Sequence, residues 1–519
     1  MSNMAAEKTE SAVVPADIYQ EDEPTRAWWK TPHLLKLNLS IISLVLYSSS
    51  LGYDGSMSNG LQALPQWNLF MEHPTGAWLG FINAIYWIGF ATAAPIFSWA
   101  ANRWGRKPVI YFSFIPLLVG TALESTAPSP AVWIVGRAIL GIPSAAWGSV
   151  IPLLIAECAH PRHRGVLTSL YMTGFYVGAS VAAWATFAVR NYPDSWAWRV
   201  PCILQVLCPL FGLPGFFMCP ESPRWMVSKG QHDRARELLI SIHGGGISTE
   251  LVDQEYAEIT TTLTYKSSQS KVKYIDMFRG KSNLHRSVIT ISLGFYSQWV
   301  GNGVVAYYLA LVLSTVGITS VTDQTLISGC LQIWNLIFAI GAALMVERTG
   351  RRKLFMSSFV VMFTSYVIIT ACSGTFAQTG QKNVGLAVIP FLYIFYAGYD
   401  IGLTPLQVSY PVEIWPYHLR SQGVSLSWLS MVLAIIFNVF VNPIALDAIG
   451  WKYYIVFIVV LATYGAMIWF VYPETKGLTL EQMEVVFKTE PSVKIVEDIE
   501  GQGSKESDVQ RTVRLNMYS

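Results

Sequence analysis

Charge is what this chain has least of. Asp, Glu, Lys and Arg make up 13% of its 519 residues, about half the roughly 25% usual in soluble domains. That shortage argues against the three or four soluble domains such a length would otherwise suggest. The net charge is only +2, so a nucleic-acid partner finds no electrostatic footprint. Cysteine is sparse and unpatterned: Cys158, Cys202, Cys208, Cys219, Cys330 and Cys372 show no CxxC or Cys/His spacing. Neither a disulfide framework nor a zinc site is expected. There is no Walker loop, no Ser/His/Asp arrangement and no metal spacing, so no enzyme and no cofactor is expected. Residues 1–33 carry Glu7, Glu10, Glu21, Asp22 and Glu23 and lack the apolar core of a secretory peptide. The first apolar helix should therefore be its own insertion signal.

What the chain does have is apolar length. Hydrophobic residues make up 52%, gathered into twelve segments long enough to cross about 30 Å of hydrocarbon. They lie near 37–57, 77–99, 108–125, 131–155, 166–188, 199–218, 287–313, 325–346, 354–373, 385–408, 423–446 and 452–472. The prediction is an all-α membrane protein of twelve transmembrane helices. A polar stretch, 219–286, separates the sixth from the seventh and holds short helical patterns such as 233–239. The expected division is a disordered cytoplasmic N terminus (1–33), a six-helix half (34–218), a cytoplasmic linker with short helices (219–286), a second six-helix half (287–472) and a cytoplasmic tail (473–519), disordered from about 490.

Orientation follows from positive charge. The short loops after the second, fourth, eighth and tenth segments hold Arg103, Arg106, Lys107, Arg162, Arg164, Arg348, Arg351, Arg352, Lys353 and Arg420. The opposite loops hold only Arg190, Arg199, Lys382 and Lys452. The richer side is expected to be cytoplasmic, with both termini on it.

The two halves repeat one another. Asn102-Arg103-Trp104-Gly105-Arg106-Lys107 returns as Glu347-Arg348-Thr349-Gly350-Arg351-Arg352, 245 residues later. Glu157 precedes Arg164 by seven residues, as Glu413 precedes Arg420. Pro220-Glu221-Ser222-Pro223-Arg224 is answered by Pro473-Glu474-Thr475-Lys476-Gly477. Two parallel six-helix halves are the layout of the major facilitator transporters. The arginine-glycine turns either anchor positive charge inside or clamp helix ends to Glu157 and Glu413. Ion pairs that break as an inner gate opens would supply a two-state element. The acidic Glu347, against Asn102 in the first copy, should make the second lock the stronger.

Together these motifs resemble the sugar porter family of the major facilitator superfamily, over about residues 37–487. Gly52-Tyr53-Asp54-Gly55-Ser56, Ser297–Gly303 with Tyr307-Tyr308, Thr404-Pro405-Leu406-Gln407 and Asn442–Asp447 resemble its fungal lactose-permease-like and hexose-transporter-like group. The resemblance implies a monomeric plasma-membrane sugar transporter working by alternating access, with sugar and proton as partners. It also implies a short cytoplasmic helical bundle in the linker, docked by the Glu and Arg of Pro220–Arg224. A proton-independent facilitator and a transporter-like nutrient sensor remain as alternatives.

Three ionisable residues stand clearly inside the crossings, away from their ends: Asp54, Arg137 and Asp400. An intramembrane charge costs at least ~2.5 kcal/mol, so each should be paired or face water. Helix directions put Asp54 and Arg137 at one depth, in the outer third. They form either a static ion pair or, as in the family's proton-coupled members, the coupling pair. Asp400 could accept a sugar hydroxyl, take a second proton or bond two helices.

A sugar needs amides for its hydroxyls and aromatics for its C–H faces. Gln298 and Asn335 match family amides that bind hydroxyls. Asn302 and Gln407 are further amides, and Trp299, Tyr307 and Tyr308 are the aromatic candidates. Departures from the hexose pattern at Met172, Ser297, Gly303, Val408 and Met431-Val432 suggest a widened pocket suited to a disaccharide or substituted sugar.

Overall fold

The computed structural model describes residues 28–268, 274–416, 419–476 and 486–487. The expectations for residues 1–27 and for most of the tail, Gly477 included, lie outside these, as does the side chain of Glu347. Among the described residues the chain is helical throughout.

The first half runs Pro32–Gln62, Gly76–Trp104, Arg106–Thr126, Pro130–Cys158, Val166–Val189 and Trp196–Met218. The second runs Lys281–Trp299 with Asn302–Thr315, then Val321–Thr349, Arg351–Thr379, Lys382–Ile414, Arg420–Ile449 and Tyr454–Val471. We number these crossings one to twelve. Ten helical stretches are individually long and apolar enough to span a membrane. The last, Gln422–Val471, contains two helices reversed at Gly450 (φ 53°), which makes eleven. Crossing seven is the twelfth: it is broken, and its first piece is too polar and its second too short to qualify alone. The first crossing starts at Pro32, several residues before the expected 37, because proline fits the opening turn, where its missing N–H costs nothing.

The break in crossing seven was not legible in its apolar run. Gly301 adopts φ +105°, and Tyr308 further on is also non-helical. Irregular backbone at membrane depth must be satisfied by protein, and here it is. Tyr399 donates to the Ser297 carbonyl (2.8 Å), Asn438 to that of Gln298 (3.1 Å), Tyr366 to that of Gly301 (2.9 Å) and Tyr396 to that of Asn302 (3.0 Å).

Small residues set the closest helix approach. A β-carbon on Gly52 would overlap the Phe175 carbonyl, and one on Gly178 would overlap that of Ser49. Crossings one and five therefore pack backbone to backbone. The linker forms three helices, Pro223–Ser228, His232–Ile242 and Glu250–Ser268, around a small separate core of Val227, Ala235, Leu239, Val252 and Ile259. The face bearing the arginine-glycine turns and this bundle is called the basic face below.

Candidate functional site

Between the halves lies a cavity of about 920 Å³, its mouth included. Gln298, Asn302 and Tyr307 of crossing seven line it, with Asn335 of crossing eight and Gln407 of crossing ten. Among the described residues, neither amide atom of Asn335 has a hydrogen-bond partner, nor has Asn302 Oδ1. Asn335 is only 1% exposed. Such buried, unsatisfied amides are costly unless a ligand or solvent completes them. Gln407 Nε2 is turned against the Met431 sulfur.

Three candidates stand off the wall. Trp299 donates to the Ala434 carbonyl (3.3 Å) and stacks on Phe295 and Phe437. Tyr308 is fully buried behind Tyr307 and donates to the Val439 carbonyl (2.6 Å). Asp400, also fully buried, lies behind Tyr176 and Thr404, which do line the cavity. Tyr176 Oη donates to Asp400 Oδ1 at 2.5 Å and Thr404 Oγ1 donates to it at 2.8 Å. Tyr176 belongs to crossing five and Asp400 to crossing ten, so this bond joins two helices and spans the two halves. Sequence reasoning missed Tyr176, Gln332, Tyr396, Tyr399 and Trp428 on the wall. A lone aromatic in an apolar run carries no directional signal.

On the side away from the basic face the cavity is closed. Gln62 Nε2 donates to the Tyr307 carbonyl (2.9 Å), the Ala310 amide to Asn59 Oδ1 (3.3 Å), and Asn83 Nδ2 to Tyr308 Oη (3.2 Å). All three bonds join the first half to the second piece of crossing seven.

Asp54 and Arg137 meet. Nη2 of Arg137 donates to Oδ2 at 3.0 Å and Nη1 lies 3.0 Å from Oδ1. Arg137 Nε donates to the Ile82 carbonyl (3.2 Å), and its guanidinium lies over the rings of Trp133 (5.2 Å) and Tyr86 (5.9 Å). The pair is 4% and 1% exposed, and the next residue, Gly55, faces Tyr307 in the cavity. A further carboxylate, Glu124, shares the arginine: its Oε1 lies 3.9 Å from Nη1. The sequence count of ionisable residues omitted it because it stands one residue from the expected end of its crossing.

The arginine-glycine turns build two equivalent locks. Arg106 Nη2 donates to Glu157 Oε1 (3.0 Å), and Arg351 donates from Nε and Nη2 to both oxygens of Glu413 (2.9–3.2 Å). Thr475 Oγ1 adds a 2.7 Å bond to Glu413. Gly105 (φ 109°) and Gly350 (φ 97°) take conformations that other residues resist. This swings the next helix start onto an acid. Glu221 accepts from the amides of Arg106 and Lys107 (both 3.0 Å), and Glu474 from those of Arg351 (2.8 Å) and Arg352 (3.0 Å). Both acids thus sit at the positive ends of helix dipoles. Glu221 caps crossing three from a position two residues before the first bundle helix.

The remaining gate candidates divide. Arg164 pairs not with Glu157 but with Glu255 of the bundle (3.2 Å). Arg103 is exposed over Trp99 (5.9 Å). The exposed Arg348 contributes its carbonyl, which accepts from Lys476 Nζ (2.5 Å). Arg420 opens crossing eleven half-buried.

The bundle seats on histidines. His243 Nδ1 lies 2.7 Å from Glu255 Oε2 and its Nε2 lies 3.2 Å from the Cys158 carbonyl. The rings of His160 and His163 adjoin at 5.6 Å, and those of His160 and His243 at 5.3 Å. Burial, then the charges of His243 and His163, hold the His160 imidazole down at about 3. Burial opposes ionising Glu255. The His243 hydrogen bond, with the charges of His243, Arg164 and Arg224, outweighs it and holds that carboxyl below its ordinary range.

The sequence profile described as "Sugar (and other) transporter" matches residues 40–487. Sugar transporter STL1 of Saccharomyces cerevisiae is 28% identical over 484 residues, covering 89% of this chain and 83% of its own. The high-affinity glucose transporter of Kluyveromyces lactis is 26% identical over 515 residues, covering 91% and 90%. The solved structure of the proton:xylose symporter XylE bound to 6-bromo-6-deoxy-D-glucose superposes with a TM-score of 0.72 at 21% identity, covering 87% of this chain and 99% of that one. Its twelve helices in two repeated halves share that fold, and the chain belongs to the sugar (and other) transporter family of the major facilitator superfamily.

Proposed function

We propose that this protein takes up a mono- or disaccharide across the plasma membrane by alternating access, in symport with a proton. Its basic face and both termini would then be cytoplasmic, as the loop charges favour. The amides of Gln298, Asn302 and Asn335 hold the sugar hydroxyls, and Tyr307 covers a C–H face. Relatives over most of the chain are named for sugar and glucose transport, which supports the substrate class. The Arg106–Glu157 and Arg351–Glu413 locks tie helix ends within each half and release as the inner side opens.

One observation carries the coupling: the buried Asp54–Arg137 pair sits next in sequence to the cavity wall, where Gly55 touches Tyr307. An arginine beside an aspartate favours its ionised form, and moving the arginine away lets a proton bind. Closure of Tyr307 over the sugar thereby bears on the same helix that carries Asp54.

The test is Asp54→Asn in cells or vesicles supplied with a panel of monosaccharides, disaccharides and polyols. Accumulation against a gradient should be lost while sugar exchange persists. Unchanged accumulation removes the coupling role, and wild-type uptake indifferent to a protonophore identifies a facilitator instead.

A further inference from the structure

The coupling site holds one cation and two carboxylates. Asp54 faces Arg137 with both oxygens, at 3.0 Å each. Glu124 reaches the same guanidinium only at 3.9 Å. Its Oε2 accepts from Gln205 Nε2 at 2.8 Å, and Oε1 has no hydrogen-bond partner among the described residues. Glu124 is fully buried. With both acids ionised the cluster would bury one uncompensated negative charge, which is costly in a low-dielectric interior. One proton removes that charge. Asp54, which accepts a hydrogen bond from the guanidinium and lies 3.0 Å from it, is a poorer place for it than Glu124, 3.9 Å away.

We infer that Glu124 is a second proton-holding carboxylate of the coupling site, keeping the transported proton while Asp54 is ion-paired. This rests on the symport reading above. As the Asp54–Arg137 pair closes, Asp54 gives up its proton and an O–H bond forms at Glu124 Oε1. On release, with the site open to water, that bond breaks and the proton passes to water while Arg137 stays between the two acids. Asp54 takes up the next proton when the arginine moves away. No other reactant is required.

The surroundings suit this role. Crossing one presents Tyr53 and Asp54, crossing four Arg137, and crossing six Cys202 and Gln205. Among the described residues, Arg137 is the one cation within the site itself. Tyr53 is held elsewhere by donating to the Pro201 carbonyl (2.7 Å). Glu124 stands two residues before the end of crossing three. Above it, Arg199 donates to the carbonyls of Ser125 (2.7 Å) and Ala127 (3.2 Å), so the acid lies just beneath the rim of the face opposite the basic one.

The experiment measures sugar-induced proton uptake and sugar counterflow in proteoliposomes of the full chain, using the best wild-type substrate. Glu124→Gln should retain counterflow yet lose proton uptake and accumulation, and Glu124→Asp should restore both. Gln205→Ala removes the donor that favours the ionised acid. It should move the pH profile of uptake to the alkaline side by about one pH unit, a tenfold change in proton affinity. Wild-type proton uptake with Glu124→Gln unchanged in stoichiometry and pH profile overturns the inference and leaves symport standing. If Glu124→Gln does not fold, an unmoved profile in Gln205→Ala overturns it alone. Absence of proton uptake in the wild type overturns both readings.

Discussion

Tyr176 and Asp400, 224 residues apart, meet at 2.5 Å across the boundary between the two halves. A hydrogen bond to a carboxylate is worth about 1.5–3 kcal/mol, so this contact weighs on which side of the cavity opens. Tyr176→Phe and Asp400→Asn should each lower thermal stability. Their double variant should lose less than the sum, with a coupling of about 1.5–3 kcal/mol. Additive losses in a thermal-shift series would show that the bond does not tie the halves.

Asn335 faces the cavity with both amide atoms unpaired. Asn335→Ala should raise the KM for sugar by about 5- to 150-fold, the equivalent of 1–3 kcal/mol, with sugar-to-proton stoichiometry unchanged. An unaltered KM in uptake assays would move the binding site elsewhere on the wall.

The two locks are unequal. Among the described residues, Glu413 accepts three bonds from Arg351 and one from Thr475, whereas Glu157 accepts one from Arg106. Arg351→Ala should therefore open the basic side more than Arg106→Ala. A cysteine placed at Ser427, which lines the small pocket at that end, reports this by its labelling rate. Equal labelling in the two variants would refute the asymmetry.

Bundle docking should weaken in acid. His160 titrates at about 3 in the docked state against an ordinary 6.5. As pH falls below 6.5, an undocked His160 takes up a proton that the docked one refuses, so docking loses free energy progressively down to about 3. Glu255, held low, adds a loss only further down, as pH falls below the ordinary carboxylate value through its own depressed one. Proteolysis of the 219–286 linker between pH 7.5 and pH 5.5, buffers chosen for the assay, should accelerate on acidification. His160→Gln should flatten that response, and a response equally steep in the variant would exclude His160 as its source.

Much of this was legible beforehand. Hydropathy marks twelve crossings, and the doubled arginine-glycine turns mark two halves with the same direction. The Asp54–Arg137 pair follows from depth alone, because a charge in the bilayer needs a partner at its own level. Side-chain direction was not legible. Trp299 and Gln298 are neighbours, yet one stacks outward and the other lines the cavity. Which arginine of each turn reaches Glu157 or Glu413, Arg106 and Arg351 here, depends on how far the turn swings, which Gly105 and Gly350 decide. Glu124 fell one residue inside the expected end of its crossing, where a charge reads as part of the rim.

Crossing seven breaks where four carbonyls are held by Tyr366, Tyr396, Tyr399 and Asn438, from crossings nine, ten and eleven. Each bond ends on main-chain oxygen, which every amino acid possesses. Apart from Gly301, whose φ of +105° other residues resist, side chains at the bend are therefore released from much of the duty of shaping it. Relatives can exchange the cavity-facing ones, and with them the preferred cargo, while the joint keeps its place. Diversification of cargo and preservation of the hinge thus fall on separate sets of residues.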